Sequence, residues 1–184
     1  MYFMPIGSTS DRDEAFTAKP ELNEYRDFYT LYGECMACWS RVEMSLFSIY
    51  ILLLDASDYN VASSVFHSTI GFRTKLTMVN SIVNSSQLIN SDDIELWKKL
   101  SDKLSKKSRR RNELAHNTVC YGRDSVHKER KLFITHIGKF KEGNRIYIHD
   151  LKQIRDLFEK LNADINIYWN KITPTVNQQK TQQS

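Results

Sequence analysis

Residues 91–116, SDDIELWKKLSDKLSKKSRRRNELAH, carry the clearest structural pattern in the chain. Their large apolar residues recur at intervals that place them on one face of a helix. These are Ile94, Trp97, Leu100, Leu104 and Leu114. Ser91 or Asp92 can cap the helix, and the acidic residues of the first turn oppose the positive end of the helix dipole. The pattern predicts a helix that ends near His116 or Asn117.

Three further helices are predicted on either side of this one. Apolar and aromatic residues at helical spacing predict a first helix over residues 21–54. A second is predicted from Tyr59 or Asn60 to about residue 84, after a turn at 55–59. The last runs from about residue 150 to 169 and has an apolar stripe at intervals of three and four.

A different period appears between the third and fourth of these helices. Residues 131–137 and 144–148 are short β-branched and aromatic runs, and they flank Gly138 and Gly143. Such runs around glycine predict a β-hairpin. The sequence therefore predicts an all-α fold, a four-helix up-and-down bundle with a small β-hairpin between its third and fourth helices.

The length of 184 residues fits one compact domain. Six glycines and three prolines favour helices over a sandwich or barrel. Polar composition predicts a flexible leader over residues 1–20 and a disordered glutamine-rich tail over 173–184. The helical domain is therefore predicted to span residues 21–172.

The cysteines and the start of the chain indicate a reducing compartment. Three cysteines do not make an even disulfide framework, and no secretory signal pattern opens the sequence. The C-x-x-C pair Cys35 and Cys38 lacks the further ligands of a zinc site, so buried free thiols are expected. The apolar run 46–54 is about half the length that spans a bilayer. We expect a cytoplasmic protein with no membrane partner.

Arg111, Asn112 and His116 could form a compact phosphate-handling site at the end of the third predicted helix. Arginine supplies a permanent cation with a planar fork of donors, and an ordinary histidine, with a pKa of about 6.5, suits proton transfer near neutral pH. Asn112 and His116 are i,i+4 neighbours on a helix. The alternative is a solvated helix end, where a histidine interacts with the last carbonyls.

The hexapeptide Arg111–His116 resembles the R-[polar]-x-x-x-H signature of HEPN domains, small helical proteins that include RNA-cleaving toxins and defence nucleases. The resemblance extends to an early helix with Trp39 and Glu43 and to a second helix with residues 70–76. The signature helix comes third, as in short HEPN proteins. The likeness covers roughly residues 25–170.

This resemblance implies a metal-independent endoribonuclease without a cofactor. His116 is then a general base or acid, Arg111 stabilises the charged transition state, and Asn112 orients the phosphate or the imidazole. HEPN proteins usually pair two signature helices across a homodimer. The resemblance also implies a toxin or antiphage defence effector, with a possible antitoxin or regulatory protein as partner.

The residues before the motif form a basic run in which Asp102 is the only acid. Phosphate backbones are attracted to such a run, although charge runs are more often exposed helix faces. The predicted RNA-binding residues are Lys103, Lys106, Lys107, Arg109 and Arg110. Glu43 and Arg73 are predicted to pair between the first two helices or to support the cleft.

The sequence also allows two other classes of function. The first is a non-catalytic HEPN bundle that binds RNA, a nucleotide or a protein partner. The second, a DNA-binding helical protein, is weaker because the sequence contains no convincing helix-turn-helix pattern.

Overall fold

A computed structural model of the chain describes residues 20–54, 58–123, 129–136 and 145–183. This part of the chain is mostly helical and contains one two-stranded antiparallel sheet. The helices are α1 (Leu22–Leu54), α2 (Tyr59–Ser68), α3 (Phe72–Ser85), α4 (Ser91–His116) and α5 (Ile148–Gln183); the strands are β1 (Thr118–Arg123) and β2 (Arg130–Thr135). The predicted leader, except Pro20, lies outside the described residues.

The first and third predicted helices are confirmed as α1 and α4. The cap of α4 differs from the prediction, because the side chain of Asn90 accepts a hydrogen bond of 2.9 Å from the backbone N–H of Asp93. Asn90 therefore satisfies one of the free N–H groups of the first turn, and Ser91 begins the helix.

The prediction of one continuous second helix is wrong. The chain forms α2 and α3 instead, and Gly71 between them has a φ of 97°. Glycine adopts this conformation without the steric cost that a Cβ imposes, so the helix stops here and restarts at Phe72. Asp58 caps α2 by accepting hydrogen bonds from the N–H groups of Asn60 and Val61.

One bridge of the predicted hairpin is confirmed, and the main partner of β2 is a strand that the sequence did not predict. Strand β2 pairs along its whole length with β1, so that Cys120 lies opposite Phe133. The second predicted run contributes one bridge, in which Ile146 and Ile134 exchange backbone hydrogen bonds of 2.9 and 3.0 Å. The predicted turn at Gly138 and Gly143 lies outside the described residues.

The polar end of the chain is helical rather than disordered. Helix α5 continues through Pro174 to Gln183. Ile172 and Val176 on its inner face are fully buried, and Thr173 donates a hydrogen bond of 2.7 Å to the carbonyl of Trp169. Burial of these apolar side chains explains why a segment with a polar composition stays helical.

The described chain divides into two compact units. The helical unit comprises residues 38–54, 58–109 and 157–183. Its core contains Trp39, whose ring centroid lies 4.6 Å from that of Phe72 and 4.9 Å from that of Phe158. Asn80 on α3 accepts a hydrogen bond of 2.8 Å from Nε1 of buried Trp97. This bond satisfies the indole N–H and joins α3 to α4.

The sheet unit comprises residues 20–37, 110–123, 129–136 and 145–156. Phe28, Phe133 and Leu151 are buried in it. The carboxylate of Glu24 accepts a hydrogen bond of 3.2 Å from the backbone N–H of Leu132. A side chain of α1 thereby satisfies a strand N–H group that has no strand partner.

Within the described ranges, α1 is the one helix whose length and composition would allow it to cross a membrane. It lies near the N-terminus, and 44% of its most apolar window is buried. Core helices of soluble proteins pass the same test of length and composition. The expected cytoplasmic location therefore stays a prediction.

Candidate functional site

Arg111, Asn112 and His116 lie in the last two turns of α4, within the sheet unit. Asn112 and His116 are exposed, and Arg111 is half-buried. The guanidinium of Arg111 donates a hydrogen bond of 3.2 Å from Nη1 to Oδ1 of Asn112. Its Nε is buried and has no hydrogen-bond partner among the described residues. One donor of Arg111, Nη1, is therefore bound to a neutral amide, and another, Nε, has no partner among the described residues.

Leu114 fixes the end of the helix that carries these side chains. Its side chain is fully buried, and its carbonyl accepts a hydrogen bond of 3.3 Å from the hydroxyl of Tyr32 on α1. The last carbonyls of a helix lack intrahelical partners, so a side-chain donor here stabilises the helix end. Strand β1 begins at Thr118, two residues after His116. The position of His116 is therefore held from both sides along the chain.

The geometry provides two of the groups that phosphoryl transfer requires. A cation with hydrogen-bond donors neutralises charge on phosphate oxygens, and an accessible imidazole accepts or donates a proton. The i,i+4 spacing puts Asn112 and His116 on the same face of α4. Helix α4 contributes one histidine, His116, to this cluster.

Carboxylates outside the basic run of α4 neutralise part of its positive charge, which the run's own sequence does not reveal. Lys103 forms an ion pair with Asp164 on α5, and Arg110 forms one of 2.9 Å with Glu113. Lys106 and Lys107 are exposed and form no ion pair among residues whose placement is described. Asp102 is the only acid within the run, and the carboxylates that pair with its cations lie outside it, at Glu113 and, sixty-one residues away, at Asp164.

The predicted pairing of Glu43 with Arg73 is also wrong. Glu43 accepts hydrogen bonds of 2.8 Å from Nε1 of Trp39 and from Nζ of Lys75. Arg73 is exposed. The restart of the helix after Gly71 turns Phe72 and Leu76 toward the core, and Lys75 flanks them next to Glu43. Glu43 belongs to the helical unit, so we assign it a role in joining α1 to α3.

Three tyrosines on α1 form a row. They are among the apolar and aromatic residues whose spacing predicts this helix. The ring centroids of Tyr25 and Tyr29 are 4.6 Å apart, and those of Tyr29 and Tyr32 are 6.5 Å apart. Burial, together with Tyr25, raises the pKa of Tyr29 to about 12. The spacing of four and three residues could have identified this row, since such residues share one face of a helix.

The described residues contain no group of three or more histidine, cysteine, aspartate or glutamate side chains arranged to hold a metal ion. Cys35, Cys38 and Cys120 are buried and form no disulfide, which confirms the buried thiols expected at Cys35 and Cys38. The thiol of Cys35 donates a hydrogen bond of 3.2 Å to the carbonyl of Leu151. Burial raises the pKa of Cys120, which disfavours its reactive thiolate form.

No family model, no curated protein and no solved structure matches this chain. The resemblance to HEPN domains therefore rests on the residues Arg111–His116 and on the helices that precede them. What the structure adds is the placement of the signature at the end of a long helix in a mostly helical protein.

Proposed function

We propose that the chain is a metal-independent endoribonuclease of HEPN type, acting as a toxin or antiphage defence effector. One observation carries the proposal. The last two turns of α4 carry an exposed imidazole, an exposed amide and an arginine whose guanidinium is held by that amide and by no carboxylate among the described residues. An arginine held by a neutral amide keeps its full charge for a phosphate, unlike one neutralised by a carboxylate.

In the proposed reaction the 2′-hydroxyl of a ribose attacks the adjacent phosphorus. His116 accepts the hydroxyl proton, and Arg111 stabilises the negative charge that develops on the phosphate oxygens. The bond from phosphorus to the 5′-oxygen breaks, and that oxygen takes up a proton as it leaves. The products are a 2′,3′-cyclic phosphate and a 5′-hydroxyl. Asn112 orients Arg111 through the bond already present between their side chains.

The proposed enzyme is a homodimer. Proton transfer to the leaving oxygen needs an acid in addition to the base, and α4 of each chain carries one histidine. A second copy related by two-fold symmetry supplies the other. A partner protein that restrains the nuclease, as an antitoxin does, belongs to the same proposal.

A non-catalytic HEPN bundle that binds RNA, a nucleotide or a protein is the second candidate. The observation that favours it is the ion pairing of the signature helix, in which Arg110 is bound to Glu113 and Lys103 to Asp164. These pairs are what an ordinary structural helix forms. In this case the end of α4 contacts a ligand without catalysing its cleavage.

The test is cleavage of total RNA and transfer RNA by the purified protein in EDTA. The same assay is run on the variants His116→Ala and Arg111→Lys. His149→Ala, which removes another exposed histidine, is the control. We expect cyclic-phosphate ends from the parent protein and the control. Loss of a transition-state donor commonly reduces kcat by about 100-fold or more, so Arg111→Lys should be strongly impaired. Cleavage that survives in His116→Ala contradicts the mechanism, and salt-sensitive binding without cleavage supports the second candidate.

A further inference from the structure

We propose that Tyr25, Tyr29 and Tyr32, the tyrosine row, form a stacking site for an unpaired base of the RNA. The inference rests on the proposed function, since it names the form of RNA that reaches the end of α4. It assigns to α1 a binding role that is separate from the chemistry of Arg111 and His116.

The exposure of the row separates it from the core of the same helix. Phe28 and Leu31, on the inner face of α1, are 1% and 7% exposed. Tyr25 is 37% exposed, and Tyr29 and Tyr32 are half-buried. The row therefore lies on the flank of the helix, with its open end at Tyr25. A base can add to that end without displacing a core residue.

The three rings already contact one another, and a base would add one more ring to the row. Tyr25 and Tyr29 are tilted by 39° at a centroid distance of 4.6 Å, and Tyr29 meets Tyr32 edge-on at 6.5 Å. The ring of Tyr25, the most exposed of the three, offers a π face at the end of this row, and every base has a π face of its own. Stacking on such a surface tolerates any base, so it selects the unpaired state rather than a sequence.

The position of the row connects it to the proposed site. The hydroxyl of Tyr32 donates a hydrogen bond to the carbonyl of Leu114, and His116 follows two residues later, about 3 Å along the helix axis. All of these residues belong to the sheet unit. Tyr25 lies seven residues before Tyr32, about 10 Å along the helix axis. A base on Tyr25 therefore belongs to a neighbour of the nucleotide whose phosphate reaches the last turn of α4, where the half-buried side chain of Arg111 lies.

The row itself carries no positive charge. Tyrosine, with an ordinary pKa of about 10, is neutral at physiological pH and does not repel phosphate. Positive charge comes from Arg111, whose partner Asn112 is neutral. The row thus supplies stacking, and the end of α4 supplies the complementary charge.

Paired RNA cannot use such a site. The bases of a duplex are stacked on one another, and only loops, bulges and single strands can place a base on an aromatic side chain. The protein should therefore prefer single-stranded RNA to a duplex of the same sequence. This preference comes from α1 and not from the catalytic residues.

The experiment measures RNA binding in a His116→Ala background, so that the probe stays intact. The probe is a short single-stranded RNA that carries one 2-aminopurine, whose fluorescence falls when it stacks on an aromatic ring. Tyr25→Leu removes the open ring and Tyr25→Phe keeps it. Tyr59→Leu is the matched control, because Tyr59 is an exposed tyrosine of the helical unit. Circular dichroism verifies that each variant is folded.

We expect quenching of the probe, little competition from the duplex, and binding weakened by roughly 5- to 100-fold in Tyr25→Leu. Tyr25→Phe and Tyr59→Leu should bind like the parent. Equal affinity for the duplex, no RNA binding, or quenching unchanged in Tyr25→Leu overturns the stacking site. Cleavage of RNA by the unmutated protein is scored separately. If the unmutated protein cleaves RNA but Tyr25→Leu binds the probe like the parent, the stacking site alone is refuted. If Tyr25→Leu weakens binding but the unmutated protein does not cleave RNA, the nuclease alone is refuted.

Discussion

Arg111 differs from the other cations of α4 in the charge of its partner. Lys103 and Arg110 each face a carboxylate, which offsets their charge. Arg111 binds the amide oxygen of Asn112, and that bond orients the guanidinium without neutralising it. Exposed ion pairs contribute little to stability, whereas a charged donor next to a phosphate contributes directly to binding. At the scale of single residues, this difference favours Arg111 over Lys103 and Arg110 as the phosphate-binding residue of the proposed function.

The residue types of the site were predictable, but their partners were not. The spacing from Arg111 to His116 identified the candidate, because helical periodicity relates neighbours in sequence. Asp164 and Lys75 became partners of Lys103 and Glu43 through the packing of distant helices. A sequence pattern that relates only near neighbours carries no information on such contacts.

Tyr29 predicts how the protein responds to alkaline pH. Its pKa is about 12 in the folded protein and about 10 for an ordinary tyrosine. Between these values the unfolded chain loses a proton that the folded chain retains. The free energy of unfolding should therefore be unaffected by this group below about pH 10 and fall as the pH rises toward 12.

Urea unfolding at about pH 9 and about pH 11 measures this fall, with Tyr29→Phe as the comparison. The phenylalanine variant lacks the ionising group, so its stability should decrease less over the same interval. An equal decrease in both proteins contradicts the assignment of the shift to Tyr29.

At the scale of elements, the long helices were predictable and the breaks between short ones were not. Periodic apolar residues located α1 and α4 to within a residue or so. The interruption at Gly71 was missed because an isolated glycine is tolerated inside helical patterns, and only the backbone conformation reveals its role. Strand β1 was missed because its pairing with β2 is set by tertiary structure.

The final turns of α5 offer a test of how far the folded domain extends. Val176 is fully buried although it lies in a segment whose composition predicted disorder. Val176→Ala removes two methyl-sized groups, so it should reduce the free energy of unfolding by about 2 kcal/mol, including the cavity that remains. Gln178→Ala, at an exposed position two residues away, should change it by less than about 0.5 kcal/mol.

Chemical denaturation of the two variants distinguishes a packed segment from a frayed one. A packed helix gives a lower midpoint for Val176→Ala alone. Equal midpoints for the two variants mean that residues 173–183 contribute nothing to the fold, as the composition first indicated.

At the scale of the whole molecule, the proposed function is that of an RNA-binding dimer. The net charge of +4 is small for such a protein, so affinity for a polyanion would come from local clusters such as the end of α4. The proposed dimer rests on the chemistry of the reaction, because the step uses a base and an acid and α4 carries one histidine. Mixing active and inactive subunits therefore provides a direct test.

The activity of the parent protein should fall when an excess of His116→Ala is exchanged into it, because a mixed dimer contains one intact His116 and the proposed shared cleft uses two. A site confined to one chain keeps the activity of every parent chain. Exchange is verified with differently tagged subunits, and an excess of His149→Ala, which keeps His116, is the control. A protein that is monomeric in sedimentation, or exchanged dimers in which each parent chain keeps its activity, would refute the shared cleft.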